Sequence, residues 1–220
     1  EQETLYPAAT YFQYSNLGLT LAGEVVAEVS GRPYAEYVQE ELLAPMGLAD
    51  TRTEMPLPDE EPRLAAGYGA MTRTGQRDRL APFTARGIAP AAGYASTALD
   101  LARFAGWQLA LLDSGGQEGG DVLDVDTLRE MQRVQWLDPD WETARGLGFG
   151  VVRAGDTTYV GHGGHCPGYR STVWIDPKND LGAAVLVNAS SVGTELFVRR
   201  ALALLAPAVA VAETAGPTVE

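Results

Sequence analysis

A single lysine, a single cysteine and two histidines in 220 residues leave little material for several common kinds of chemistry. One cysteine rules out an internal disulfide and leaves the redox compartment unread. With 16 basic residues against 29 acidic ones, the net charge of −13 lacks the clustered Lys and Arg that nucleic acid and anionic membrane surfaces require. No apolar run approaches the roughly 18 to 20 residues of a membrane span. Glu1-Gln2-Glu3-Thr4 has no signal-peptide pattern, and a start without methionine reads as a beginning inside a longer protein. What the chain does have is ordinary: 45% hydrophobic and 20% charged residues, the composition of one globular domain with a full core.

Several hydrolase and ligand signatures are also missing. No serine sits in a G-x-S-x-G elbow: Ser96 is bracketed by Tyr94 and Ala98, and Ser171 by Tyr169 and Val173. There is no H-E-x-x-H, and Gly115-Gly116-Gln117-Glu118-Gly119-Gly120 lacks the Gly-Lys-Ser/Thr of a phosphate loop. His162, His165 and Cys166 are crowded into one short stretch with no partner cluster elsewhere, which argues against a zinc site. The expectation is no metal and no cofactor. The unusual chemistry is concentrated in Val160–Ser171, which holds both histidines, the cysteine and four of the 25 glycines. Such density beside a strand has two readings: close approach of something to the backbone, or a hairpin corner with a Pro-Gly turn.

Helices dominate the first part of the chain. Leu17, Leu21, Ala22, Val25 and Val29 recur at helical spacing, with Asn16 as a possible N-cap and Gly31 just past the end. Pro33 fits the first turn of a second helix through Leu42. Residues 50–95 are Pro-rich and aperiodic. Thr97-Ala98-Leu99-Asp100 is a capping-box variant, and Asp124 or Asp126 caps a further short helix. From Leu147 the texture is β: runs at 147–152, 157–161, 169–175 and 182–187, the last pair forming an antiparallel hairpin across Asp176–Asp180. Thr194 opens a closing helix through Leu205, and residues 208–220 read as a linker or tail. The expected class is α+β, an antiparallel sheet flanked by helices, with a helical part over about 14–135 and a sheet part over about 146–207.

Several short motifs fall in a fixed order. They are Tyr14-Ser15-Asn16, Pro90-Ala91-Ala92-Gly93-Tyr94-Ala95-Ser96-Thr97-Ala98-Leu99-Asp100-Leu101-Ala102, Gly146-Leu147-Gly148-Phe149, His162-Gly163-Gly164 and Val185-Leu186-Val187-Asn188. Tyr-x-Asn alone is weak, with about 0.12 chance occurrences expected in a chain of this composition. In joint order, over about Pro7 to Pro207, the chain resembles the serine β-lactamase and penicillin-binding-protein superfamily. The likeness is to its branch of class C β-lactamases, D-alanyl-D-alanine carboxypeptidases and esterases.

The resemblance implies a β-lactamase/transpeptidase-like fold and a serine nucleophile in a Ser-x-x-Lys, which this sequence lacks: its one lysine, Lys178, has Ile175 three positions before it. Residues 1–207 therefore read as the C-terminal portion of one such domain, its first helix and strands absent. The partners expected are a small-molecule or peptide substrate and the N-terminal portion of the same protein. By the same resemblance Tyr14 is the phenolic general acid/base, its pKa lowered by neighbouring positive charge. Asn16 orients the substrate amide or the lysine. His162 hydrogen-bonds the tyrosine, Gly163 and Gly164 line the substrate edge, and the backbone N–H of His165 is one oxyanion donor. Gly163 stands where relatives often carry Thr or Ser, and His165 replaces a small residue; both favour an esterase or peptidase over a β-lactamase. Cys166 reads as a packed thiol. The family is often exported, but the sequence names no compartment. The competing reading, prompted by the absent Ser-x-x-Lys, is an inert binding or regulatory module on the same scaffold.

Overall fold

The computed structural model describes residues 6–7, 10–56 and 64–215, with side chains described to residue 210. Local chemistry sets the first helices. Ser15, in extended backbone, accepts a 2.9 Å hydrogen bond from Gly18 N and opens α1 (Asn16–Ser30), while Gly31 closes it at φ 67°. The cap is thus Ser15 rather than Asn16, which already lies in the first turn. Pro33 stands just before α2 (Tyr34–Val38), which runs on into a π-turn over Gln39–Leu43. The expected irregular excursion follows, tied down by paired backbone bonds between Arg52 and Ala95 and carrying the short helix α3 (Ala89–Ala92). Thr97 caps α4 (Ala98–Asp113) by accepting from Asp100 N, and Asp124 caps α5 (Val125–Gln132).

Six antiparallel strands then pair in sequence order: β1 (Trp136–Leu137), β2 (Thr143–Arg145), β3 (Gly150–Ala154), β4 (Thr157–Cys166), β5 (Tyr169–Asp176) and β6 (Leu181–Val187). The sheet therefore begins at Trp136, not near 146, because strands of two and three residues are too short to show an alternation. The last helix, α6 (Thr194–Ala215), passes through Pro207 and includes residues 208–215, which read as tail. The alanine-rich stretch around Pro207 favours helix strongly enough to absorb one missing N–H.

Alternation along the strands divides the core. Val151, Val160 and Ile175 face Ala105 and Leu109 of α4, whereas Val152, Tyr159 and Trp174 face Val198 and Leu202 of α6. The sheet is thus covered on both faces. Ile175 and Leu202 are 1% and 0% exposed, so each contributes on the order of 2 kcal/mol from burial. Gly161 is required here: a Cβ on it would strike the Val173 carbonyl and lie 2.8 Å from Trp174 Cα. The paired Gly150 leaves room for the far edge of the same indole, so two glycines accommodate one tryptophan.

Asp100, 1% exposed, ties α4 to the preceding loop. Its Oδ2 accepts from Asp50 N at 2.8 Å and Thr51 Oγ1 at 2.9 Å, and its Oδ1 from Arg103 at 3.0 Å. Two surfaces are left uncovered among the described residues. β6, an uncharged Leu-Gly-Ala-Ala-Val-Leu-Val strand, pairs only with β5. The apolar stripe of α1 is exposed: Leu17, Leu21, Val25 and Val29 stay open, and the helix buries Thr20 and Gly23.

Candidate active site

β3 ends its pairing with β4 at Gly150–Gly161, but β4 runs on to Cys166, bonded to β5 alone. From His162 to Cys166 the β3 side of this strand is therefore a free edge among the described residues. The glycine-rich run is strand, and the corner falls beyond it at Pro167-Gly168, where Gly168 has φ 88° and a Cβ would lie 2.9 Å from Gly67 Cα.

The segment leading into α1 lies over this edge. Tyr14 stacks on His162 with ring centroids 6.4 Å apart and planes 25° from parallel. His162 Nδ1 is 2.6 Å from the Gly163 carbonyl. A carbonyl only accepts, so Nδ1 carries a proton and Nε2 is left for another partner, as acceptor when the ring is neutral and donor when it is charged. Tyr14 is 59% exposed and open to a substrate. Asn16 is exposed in the first turn of α1 and makes no hydrogen bond to Tyr14 or His162 among the described residues.

The two glycines of the edge differ. A Cβ on Gly163 would meet nothing nearer than 3.7 Å, so the fold does not require glycine there. A Cβ on Gly164 would strike Ser171 Oγ, the hydroxyl opposite it on β5. Alternation places His162 and Gly164 on the α4 side, and Gly163 and His165 on the α6 side. The His165 ring thus lies on the face opposite the His162 ring, directly across from Arg170, while its backbone remains at the edge.

Arg145, just before Gly146-Leu147-Gly148-Phe149, lies 5.5 Å over the Phe12 ring and pairs with Asp138 at 3.3 Å. Tyr34 and Tyr94 share a 2.7 Å hydroxyl–hydroxyl bond, and burial together with that bond pushes the Tyr94 phenol up. Cys166 Sγ points at the Ala92 carbonyl, 3.7 Å away, and burial pushes its thiol up as well, which disfavours the reactive thiolate. Among the described residues no group of three or more His, Cys, Asp or Glu is arranged to hold a metal ion. No helix of theirs is long and apolar enough to cross a membrane.

An antiparallel sheet with helices on both faces and a free-edged strand beside a tyrosine-led helix is the architecture of the β-lactamase/transpeptidase fold. The Beta-lactamase family model matches residues 1–208, and the chain belongs to that family, within the serine β-lactamase and penicillin-binding-protein superfamily of serine hydrolases. It is 28% identical over 201 residues to penicillin-binding protein 4 of Amycolatopsis lactamdurans, covering 87% of this chain and 51% of that protein. It is 29% identical over 189 residues to the D-alanyl-D-alanine-carboxypeptidase/endopeptidase AmpH of Escherichia coli K12, covering 80% and 45%. Among solved structures, the octameric penicillin-binding protein homologue from Pyrococcus abyssi superposes with a TM-score of 0.75 at 26% identity, covering 90% and 43%. The chain thus spans about half the length of the curated relatives it matches.

Proposed function

We propose that these residues are the C-terminal part of a serine hydrolase that forms and hydrolyses an acyl-enzyme on an ester, amide or β-lactam bond. The nucleophile comes from an N-terminal segment outside the 220 residues. The observation that carries this reading is the Tyr14–His162 stack over the free edge of β4, which joins two motifs far apart in sequence. In this reading Tyr14 moves the proton between nucleophile, water and leaving group, with His162 Nε2 as its hydrogen-bond partner. The His165 backbone N–H donates to the developing oxyanion beside a second donor from the nucleophile's own backbone. Gly163 and Gly164 keep the strand edge low enough for a substrate backbone to lie along it, and Asn16 orients the substrate amide. Taken alone, the 220 residues are inactive.

Two observations support a covering segment: the match spans half the length of its relatives, and both β6 and the apolar stripe of α1 lack a partner among the described residues. The absent Ser-x-x-Lys favours a second reading, a catalytically inert binding module. Fluorophosphonate labelling followed by intact mass of the denatured full-length protein separates the two. The hydrolase reading expects one probe adduct on a serine upstream of Tyr14. An adduct on a serine within these 220 residues refutes the assignment of the nucleophile, and no adduct favours the binding module. In the full-length protein Tyr14→Phe is expected to lower turnover by about a hundred-fold, the usual contribution of a general acid/base. Unchanged turnover removes Tyr14 from the mechanism.

A further inference from the structure

We propose that Arg145 is a positioning residue for Tyr14, acting through Phe12 to hold the phenol over the free edge of β4. Tyr14 lies outside α1, ahead of the cap at Ser15, so the helix does not fix it. Residues 10–14 are all exposed, and none makes a backbone hydrogen bond among the described residues. Two ring contacts tie this segment to the sheet: Tyr14 on His162 and Phe12 on Arg145. The first is loose, with centroids 6.4 Å apart, near the outer limit for an aromatic pair.

Arg145 is suited to be the second tie. Its backbone is fixed from both sides, paired with Trp136 of β1 and Gly150 of β3. One terminal amino group meets the Asp138 carboxylate at 3.3 Å, and the guanidinium carbon stands 5.5 Å from the centre of the Phe12 ring, within the range of a cation–π contact. Its Nε is enclosed without an acceptor among the described residues. An apolar side chain would fill this place without the unpaired donor, so packing does not account for the arginine. Gly150 in turn pairs with Gly161, so Arg145 lies two strand spacings, about 10 Å, from β4. Phe12 and Tyr14 are at most about 7 Å apart along the chain. With Phe12 held at β2 and Tyr14 at His162, the segment has little slack to carry the phenol away from the edge. Released at Phe12, Tyr14 keeps only its loose stack. The inference rests on the hydrolase reading for its effect on turnover, and not for the placement of the ring.

The test uses the full-length protein and two readouts. NMR reads the seat of the phenol without turnover, because a stacked ring displaces the His162 ring-proton resonances, which His162→Gln identifies. Arg145→Met should move these resonances toward their position in Tyr14→Leu, and Arg145→Lys, which keeps a cation for the ring, should stay nearer the parent. Phe12→Leu, at an exposed position, should match Arg145→Met and stands in for it if that variant fails to fold. With p-nitrophenyl acetate as substrate, Arg145→Met should lower kcat about two- to fivefold with KM little changed, the population shift that one cation–π contact commands. In a Tyr14→Phe background the same substitution should have no further effect. Resonances that stay in place in both Arg145→Met and Phe12→Leu overturn the proposal. So does an equal loss of kcat with and without the Tyr14 hydroxyl, the result expected if Arg145 only supports the sheet. Moved resonances in a protein that hydrolyses no acyl substrate refute the hydrolase reading and leave the positioning role standing.

Discussion

The three glycines along β4 provide a test of which part of the site is structural and which is open for function. Placing one methyl group at 161, 163 and 164 in turn changes the same chemistry in three surroundings. At Gly161 the methyl would meet backbone that cannot move aside, the Val173 carbonyl and Trp174 Cα, and would displace an indole that is 3% exposed. Gly161→Ala is therefore expected to cost about 3 kcal/mol, the upper end of overpacking. At Gly164 the obstacle is the Ser171 hydroxyl, which can rotate to another rotamer, so the cost falls to about 1 kcal/mol. Ser171→Ala in the same chain should recover most of it. At Gly163 nothing lies within 3.7 Å and the backbone is not left-handed, so Gly163→Ala should stabilise by about 0.5 to 1 kcal/mol through a less flexible unfolded chain. Urea unfolding followed by tryptophan fluorescence in the full-length protein reads all four variants as shifts in midpoint at constant slope. A Gly163→Ala variant destabilised by more than about 1 kcal/mol, or a Gly161→Ala variant within about 0.5 kcal/mol of the parent, would refute the reasoning. If the order holds, any loss of activity in Gly163→Ala belongs to the substrate edge and not to stability.

The remaining expectations use the same unfolding assay unless stated. Asp100→Ala removes the acceptor of the part-buried Asp50 N–H and one of the two partners of the buried Thr51 hydroxyl, which keeps Ser96, and should cost about 2 kcal/mol, while the half-exposed Arg103 contributes little; a loss under about 0.5 kcal/mol refutes the Asp100 tie. The folded Tyr94 phenol keeps its proton above the usual value near 10 while the unfolded chain loses it, so stability falls as pH rises past about 10. Tyr94→Phe should lose less stability between pH 9.5 and 11 than the parent. With the ring 43% exposed, solvent screening holds the difference under about 1 kcal/mol, and identical pH curves remove the effect. The 220-residue chain by itself should self-associate through β6 and the open faces of α1, and Leu186→Lys should lower the mass seen by light scattering. A monodisperse monomer of the unaltered chain contradicts that expectation.

What could be read from residues alone depended on how local its cause was. The caps at Thr97 and Asp124, the stop at Gly31 and the β5–β6 hairpin are each specified within a few residues, and each was legible. β1 and β2 were not, since a two-residue strand exists only through its neighbour. The role of Gly161 was equally hidden, because the need for glycine comes from Trp174 across the ladder. In the site, Tyr14 and His162 carried motif signals, and the structure places their rings together.

The α1 stripe shows how a correct period leaves the surroundings of a helix open. Leu17, Leu21, Val25 and Val29 do repeat at helical spacing, yet Val29 is 83% exposed and Val25 61%. The described residues hold α1 from the other side, through Gly23 packed against Pro90 and Tyr34. Covering four such side chains is worth roughly 1.5 to 3 kcal/mol each before the cost of ordering the partner, enough to bind a segment firmly. Tyr14 stands two residues ahead of this helix, so whatever covers the stripe also fixes where the phenol sits over His162. Assembly of the fold and alignment of the proposed general base are then one event, and substitutions in the stripe should lower turnover as well as association.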